Sequence, residues 1–259
     1  MVPLTSELEP AFWRLVERDI PHHFFFAFDW KYRRDETRIL LALDRGRIDG
    51  MMLIYRGRIV QLRGSGEAVR ALLEGLELEE VELVAEPPHE RYVLERYVVT
   101  TNRRLHLMIL RRGEERSRPS HPTVELGASD AEEIAGLMRS ADPEHWGEVT
   151  GQQVTETMRE GVSWLGVRVG GRLVSVGSAR LTEWVGLVRT VATHEAYRNR
   201  GYATSVVSEL VHRMLRRVHM AIIYVLGDNW PAIRVYEKVG FRKYRTYLLI
   251  RGKGKFRRL

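Results

Sequence analysis

The run Arg198-Asn199-Arg200-Gly201-Tyr202-Ala203 constrains this chain more than any other stretch. It follows a strand-like run, Val188 to Ala192. It opens a helix on which Ala203, Val206, Val207, Leu210, Val211, Met214 and Leu215 recur at three- and four-residue steps. A strand that passes into a helix through a glycine-bearing turn gathers the unpaired N–H groups of the first helical turn, with their partial positive charge, at one spot. Gly201 lets a ligand approach the backbone without meeting a Cβ, and Arg198 and Arg200 add charge beside those amides. The product is an anion cradle, and a diphosphate suits it best because each oxygen cluster meets several donors. A solvated turn that only caps a helix would use the same residues, so this stretch alone does not decide between the two.

The next stretch adds to it. Ala221 to Leu226 reads as a buried strand, and Gly227-Asp228-Asn229-Trp230-Pro231-Ala232 leads into a helix that Asn229 can cap, Pro231 can begin and Gly240 can end. Together the two stretches resemble the GNAT superfamily of CoA-dependent N-acetyltransferases. The pyrophosphate loop of that family, Arg/Gln-x-x-Gly-x-Gly/Ala, is matched by Arg198, Gly201 and Ala203. Its second motif, Asn-x-x-Ala-x-x-x-Tyr-x-x-x-Gly-Phe, is matched at every fixed position by Asn229, Ala232, Tyr236, Gly240 and Phe241. The resemblance covers roughly the second half of the chain.

What it implies is an acetyl transfer from acetyl-CoA, as co-substrate, to an amine in a ternary complex, with no metal. The pyrophosphate would rest on Arg198, Asn199, Arg200, Gly201, Tyr202, Ala203 and Thr204. The pantetheine and thioester oxygen would meet the amides of Val191 and Thr193, with Ala192 between them, and Asn229, Ala232 and Tyr236 would line the same arm. Tyr236 is the expected general acid, since a phenol with a pKa near ~10 can protonate a departing thiolate; packing between helix and sheet is its plainer role. The family often places a Glu on the strand before the cradle, but the corresponding residue is Leu187, which cannot accept a proton. Glu183, His194, Glu195 and Asp228 are the nearby titratable groups, and Glu183 is the candidate base, beside the simpler reading of a surface charge.

The first half carries the same order of elements as the second. A capping-box signature at Ser6-x-x-Glu9 precedes an apolar helical face, then an aromatic run from Phe24 to Trp30, which reads as core or domain interface. Strand-like runs Arg38–Leu43, Met51–Tyr55 and Arg58–Leu62 form a meander, followed by a helix, a strand at Val81–Val84, a short helix and a strand at Leu105–Leu110. From Ser129 the second half repeats this order, ending in a strand from Tyr244 to Ile250. Between them Arg111 to Pro122 is charged, contains Pro and lacks apolar periodicity. The expectation is an α/β (α+β) chain of two tandem GNAT-like domains, each a mixed, mainly antiparallel sheet flanked by helices. A degenerate domain would span 1–111, a linker 112–122 and the catalytic domain 123–259. In the first half Arg63-Gly64-Ser65-Gly66 stands where the cradle should be, and no Asn-to-Tyr motif follows. Tandem N-acyltransferases, including the glycine N-acyltransferase-like group, resemble this layout.

Composition sets the remaining bounds. The absence of Cys excludes disulfides, thiol catalysis and thiolate metal sites. His22 and His23 are adjacent, which is poor spacing for two ligands on one helix face. No apolar run is long enough for a bilayer and no signal peptide opens the chain, so a cytoplasmic protein without membrane partners is expected. The net charge of +7 suits an anionic ligand, a nucleic acid or an acidic partner, and the basic tail from Arg251 to Arg258 reads as a frayed terminus rather than a phosphate-backbone contact. Two rival functions follow: a non-catalytic acyl-CoA sensor, favoured by Leu187, and a nucleic-acid binder. The acceptor is not legible; the first half and Ala141 to Trp146 would line its groove, and Asp142, Glu144 and Glu148 would attract a cationic amine, beside the simpler reading of a solvated acidic loop. A monomer whose halves pair as a pseudo-dimer, or a weak homodimer, is the expected assembly.

Overall fold

Two antiparallel meanders, each followed by a helix and a parallel strand, make up most of the chain. The structure is a computed structural model that describes residues 1–255; Arg257 and Arg258 of the basic tail lie outside the described residues. The elements are β1 (Val2–Pro3), α1 (Glu9–Val16), α2 (Ile20–Tyr32), β2 (Thr37–Asp44), β3 (Arg47–Tyr55), β4 (Ile59–Gly64), α3 (Gly66–Glu74), β5 (Glu80–Ala85), α4 (Glu90–Arg96) and β6 (Tyr97–Arg111). There follow β7 (Val124–Leu126), α5 (Ala131–Ala141), α6 (Pro143–Trp146), α7 (Gly151–Arg159), β8 (Val162–Val169), β9 (Arg172–Leu181), β10 (Gly186–Thr193), α8 (Tyr202–Leu215), β11 (Met220–Leu226), α9 (Trp230–Val239) and β12 (Arg242–Gly254). The class is α/β with mainly antiparallel sheet flanked by helices, as the sequence suggests. Among the described residues no helix is long and apolar enough to cross a membrane.

The chain divides into two compact units. The first takes Met1–Leu107, Leu226–Asp228 and the residues from Arg245 on; the second takes Met108–Val225 and Asn229–Tyr244. In the first, strands run in the order β1-β2-β3-β4-β5-β12-β6. β2, β3 and β4 form the meander, and β5 runs parallel to β4 because α3 carries the chain back between them. The last strand of the chain adds here: Leu248 to Lys253 pair antiparallel with Ala85 to Glu80 of β5. The basic residues Arg251, Lys253 and Lys255 are therefore ordered and do not fray. Arg251 and Lys253 pair with Glu82 and Glu80, and the Lys255 amide donates to Arg96 O. One face of this sheet buries Met52, Leu62, Leu83 and Ile250 under Val69, Leu72 and Leu73 of α3.

The aromatic run folds as α2. Asp19 accepts the His22 amide at 3.2 Å, Pro21 lies in the first turn, and Phe24, Phe26, Phe28 and Trp30 are buried. The Ser6 capping box does not form. α1 begins at Glu9, with Pro10 in its first turn and the Thr5 carbonyl taking the Leu8 and Glu9 amides. Proline at the helix start needs no donor there, which moves the start past Ser6.

In the second unit the order is β11-β10-β9-β8-β7. The meander β8-β9-β10 is antiparallel, and β11 returns parallel to β10 through α8. Val206, Val207, Leu210, Val211 and Met214 of α8 join Ile223, Val225, Ile233 and Tyr236 in one core. Ile134, Leu137 and Met138 of α5 join Trp164, Val176 and Ala192 in another. Because β10 and β11 are parallel and each leads into a helix, α8 and α9 both start at the same end of this sheet.

Candidate functional site

The site begins where β10 loses a neighbour. Gly186, Leu187 and Val188 pair in parallel with Ala221, Ile222 and Ile223, and among the described residues that pairing goes no further. On its other side β10 stays on β9, but with a shift: Val188 faces Ala179, whereas Val191 faces Gly177. Three residues of β10 are thus spanned by two of β9, which is a bulge with Arg189 and Thr190 opposite Ser178. The Thr190 amide donates to Ser178 Oγ at 3.2 Å, and the His194 amide donates to Val174 O of β9 at 3.0 Å. Amides alternate along a strand. If those of residues 190, 192 and 194 point to β9, those of Val191 and Thr193 point to the edge that β11 has left.

The chain then turns into α8. Glu195–Tyr197 form a single tight turn, Asn199 has φ +62°, and Gly201 has φ +83° with Arg200 between them at negative φ. Asn tolerates the left-handed region and Gly occupies it without strain. Such alternation turns successive N–H groups into one concavity at the helix start. Residues read from sequence as a linker brace the outside of this turn. His121 Nε2 bonds the Arg200 carbonyl at 2.8 Å. The Ser120 and His121 amides each donate to Ser205 Oγ at 3.1 Å, and that hydroxyl reaches Gly201 O at 3.2 Å. A trans peptide sends its carbonyl and the next N–H to opposite sides, so the Gly201 amide points away from His121. Thr204 sits half-buried in the first turn of α8.

The arginines are arranged differently from the sequence expectation. Arg198 donates through Nη2 to Ala141 O at 2.6 Å and through Nε to Thr193 O at 3.4 Å, so it closes the end of α5 against β10. The Arg200 guanidinium lies 5.5 Å from the Tyr197 ring, and Arg172, at the start of β9, lies 6.0 Å from the same ring. Arg172, Ser120, His121 and Ser205 were not singled out by the motif. They come from distant parts of the chain and carry no local signal.

On α9, Asn229 caps the helix by accepting the Ala232 amide at 3.2 Å. Tyr236 is 6 % exposed and packs edge-on against Phe241 at 6.1 Å. Burial pushes its phenol far above the usual range, so it stays protonated but is a weaker acid than the ordinary phenol expected from the sequence. Among the described residues its hydroxyl has no hydrogen-bond partner, which leaves it free to donate to a ligand. Leu187 is buried and apolar. Glu183 is exposed in the turn before β10, at the opposite end of the strand from the cradle. Glu195 is exposed, and His194 accepts from Arg172 at 2.8 Å. Asp228 belongs to the first unit, where Arg103 grips both its oxygens at 2.7 and 2.8 Å and holds its carboxyl below the usual range. Asp142 caps α6, accepting the His145 amide at 3.1 Å. No group of three or more metal-ligating side chains occurs among the described residues.

The first unit shows the same handover in closed form. Among the described residues β4 pairs with β5 over Ile59–Gln61 and Glu82–Val84 and no further. Past that point Arg63, 2 % exposed, donates to Leu62 O at 2.8 Å and to Val84 O at 3.5 Å, so its guanidinium lies at the carbonyl where the two strands stop pairing. Ser65 caps α3 and bonds Asp49 Oδ2 at 2.5 Å, setting a carboxylate at the helix start where an anion would go.

Residues 164–250 match the family model described as FR47-like protein. A solved structure described as a GNAT-family acetyltransferase from Novosphingobium aromaticivorans is 26% identical, with a TM-score of 0.52 over 74% of this chain and 84% of that one. Over residues 164–250 the match, like the fold, is to GNAT-type acetyltransferases. Two further GNAT structures share the fold. An acetyltransferase from Colwellia psychrerythraea is 14% identical, with a TM-score of 0.62 over 97% of this chain and 98% of that one. A tandem GNAT protein from the clavulanic acid biosynthesis pathway is 16% identical, with a TM-score of 0.52 over 84% of this chain and 82% of that one. No curated protein matches this chain.

Proposed function

We propose that this protein is an N-acyltransferase that moves an acetyl group from acetyl-CoA to an amine by direct attack in a ternary complex. The catalytic domain would be 123–259, joined through 112–122 to a degenerate GNAT-like domain at 1–111. The observation that carries the reading is the parting of β10 from β11 after Val188, with the Val191 and Thr193 amides on the opened edge and the turn at 199–201 directly beyond it.

In this reading Asn199, Arg200, Gly201, Tyr202, Ala203 and Thr204 hold the pyrophosphate through backbone amides, with Arg198 as the brace of the turn. Charge-assisted bonds to phosphate are stronger than neutral ones. The pantetheine lies along Val191, Ala192 and Thr193, with Asn229 and Ala232 on its other side. An amide aimed at the thioester oxygen stabilises the charge that develops there as the amine attacks the carbonyl carbon. When the C–S bond breaks, the sulfur takes the electron pair and a proton. Tyr236, protonated and unbonded within the protein, supplies that proton. The amine's own proton passes to water or to a base; Glu183 is the candidate of the chain, though it stands at the far end of β10.

The donor places the reaction in the cytoplasm, and the chain acts as a monomer or a weak homodimer. Buried Leu187 favours a second reading, an acyl-CoA sensor without turnover. Calorimetry with CoA, followed by thiol release from acetyl-CoA over amino acids, polyamines, aminoglycosides and peptide N-termini, tests both. Absence of binding removes both readings; binding without turnover on any acceptor class leaves the sensor.

A further inference from the structure

A bulge leaves one residue of the longer strand outside the regular ladder. Here Arg189 and Thr190 stand opposite Ser178; Thr190 is 8 % exposed, and an unpaired amide at such depth is costly. Ser178, 1 % exposed, takes it with its side chain at 3.2 Å. Three residues earlier on β9, Ser175 is wholly buried. Its hydroxyl reaches Ala192 O at 3.3 Å and Thr193 Oγ1 at 2.8 Å. Two buried hydroxyls set among Leu173, Val174, Val176 and Ala179 of β9 thus hold Thr190 at one side and Ala192 and Thr193 at the other. Between them Gly177 lets α8 lie flat: a Cβ there would stand 2.6 Å from Val206 Cγ1 and 3.0 Å from Leu210 Cδ1.

We propose that Ser178, seconded by Ser175, is the positioning residue that fixes which amides of β10 reach the acyl donor. The proposal rests on the acyl-CoA reading above. Strand parity has only two settings. With the bulge at Arg189–Thr190, the amides of residues 190 and 192 go to β9, and those of Val191 and Thr193 go to the open edge. If β10 slipped by one residue to remove the bulge, the parity would invert. Ala192 would then face the donor, and every side chain of the segment would change face. The Ser178 side chain bonds Thr190 only in the first setting, so it selects that setting.

The test is amide hydrogen exchange on the full chain, read at residues 190 to 193, with and without acetyl-CoA, beside calorimetry with CoA. In the unliganded wild type Thr190 exchanges slowly and Val191 and Thr193 exchange fast; acetyl-CoA slows both. In Ser178→Ala, Thr190 exchange rises about 10-fold, as for one lost buried hydrogen bond, and the acetyl-CoA protection of Val191 and Thr193 is lost. The Kd for CoA, set mainly by the turn at 199–204, stays within ~2-fold, as for separated contacts. Ser178→Thr, which keeps the hydroxyl, restores the wild-type pattern. Unchanged Thr190 exchange in Ser178→Ala overturns the proposal. So does protection of Val191 and Thr193 in the unliganded wild type, a result that needs no variant to fold. If the wild type binds no CoA, the proposed function falls, while Thr190 still reports on the serine.

Discussion

Replacing Gly201 by Ala isolates the backbone contribution of the cradle. A Cβ at this position would find His121 Nε2 at 3.5 Å and Ser120 Oγ at 3.6 Å, which are ordinary contacts. Crowding therefore adds little, and the cost is that of holding an L residue at φ +83°, about 1–2 kcal/mol. The turn cannot easily relax to escape it, because the Arg200 carbonyl is held by His121 and the Gly201 carbonyl by the Ser205 amide and hydroxyl. The strain is expected as lost stability, a fall in Tm of about 2–8 °C for a chain of this size, with the Kd for CoA within ~3-fold of wild type, less than 1 kcal/mol. Releasing the brace should move the cost from stability to binding. In Gly201→Ala with His121→Ala the turn is free to relax, its amides leave the ligand, and CoA affinity drops about 5- to 30-fold, the same 1–2 kcal/mol. Gly201→Asn should cost less than Ala, since Asn tolerates this region. Calorimetry with CoA and thermal melts on the four proteins give the comparison. Gly201→Ala with wild-type Tm and wild-type affinity would refute the argument that the left-handed turn is needed.

The remaining predictions concern chemistry, stoichiometry and pH. Tyr236→Phe removes a hydroxyl that no group among the described residues bonds, so stability should change by less than about 1 kcal/mol while acetyl-CoA turnover falls about 10²- to 10⁴-fold; equal turnover removes Tyr236 from the reaction. Calorimetry should count one CoA per chain, because Arg63 and Asp49 close the corresponding corner of the first unit; a second equivalent of heat would contradict that. Burial holds His22 down to about 2 and His23 down to about 4, against the ordinary 6.5, while burial lifts Asp29 to about 7. Between pH 6.5 and 4 the unfolded chain takes up protons at both histidines that the native chain refuses, which lowers stability as pH falls. Asp29 works the other way over the same window. Burial holds His89 down as well, so the histidine side outweighs Asp29 by one proton or more. Stability then drops as pH falls by about 1.4 kcal/mol per unit or more, readable as a falling urea midpoint; a flat midpoint across this window would sink it.

Local sequence carried the parts of this protein that local physics decides. The Asn229 cap, the glycines at 201 and 240, and the apolar faces of α8 and α9 are set by neighbours a few residues away, and the motif they compose is enough to place the cradle between β10 and α8. The paired order of helix, meander, helix and strand was equally legible, because it rests on periodicity and turn residues. Tertiary pairing decided the rest. Arg198 looks like a phosphate ligand in sequence, yet Ala141 O, 57 residues away, claims its guanidinium. The segment from Ser117 to His121 has no periodicity and reads as a linker, but Ser205 on α8 and Arg200 in the turn before it give its polar groups partners. The last strand is expected from sequence, but Arg251 to Lys253 of the tail, expected to fray, continue its pairing with β5, since an open sheet edge and a strand with unpaired amides satisfy each other wherever they meet. The bulge that aims Val191 and Thr193 exists only once β9 is alongside, for a strand's parity has no meaning until a partner fixes which amides are taken.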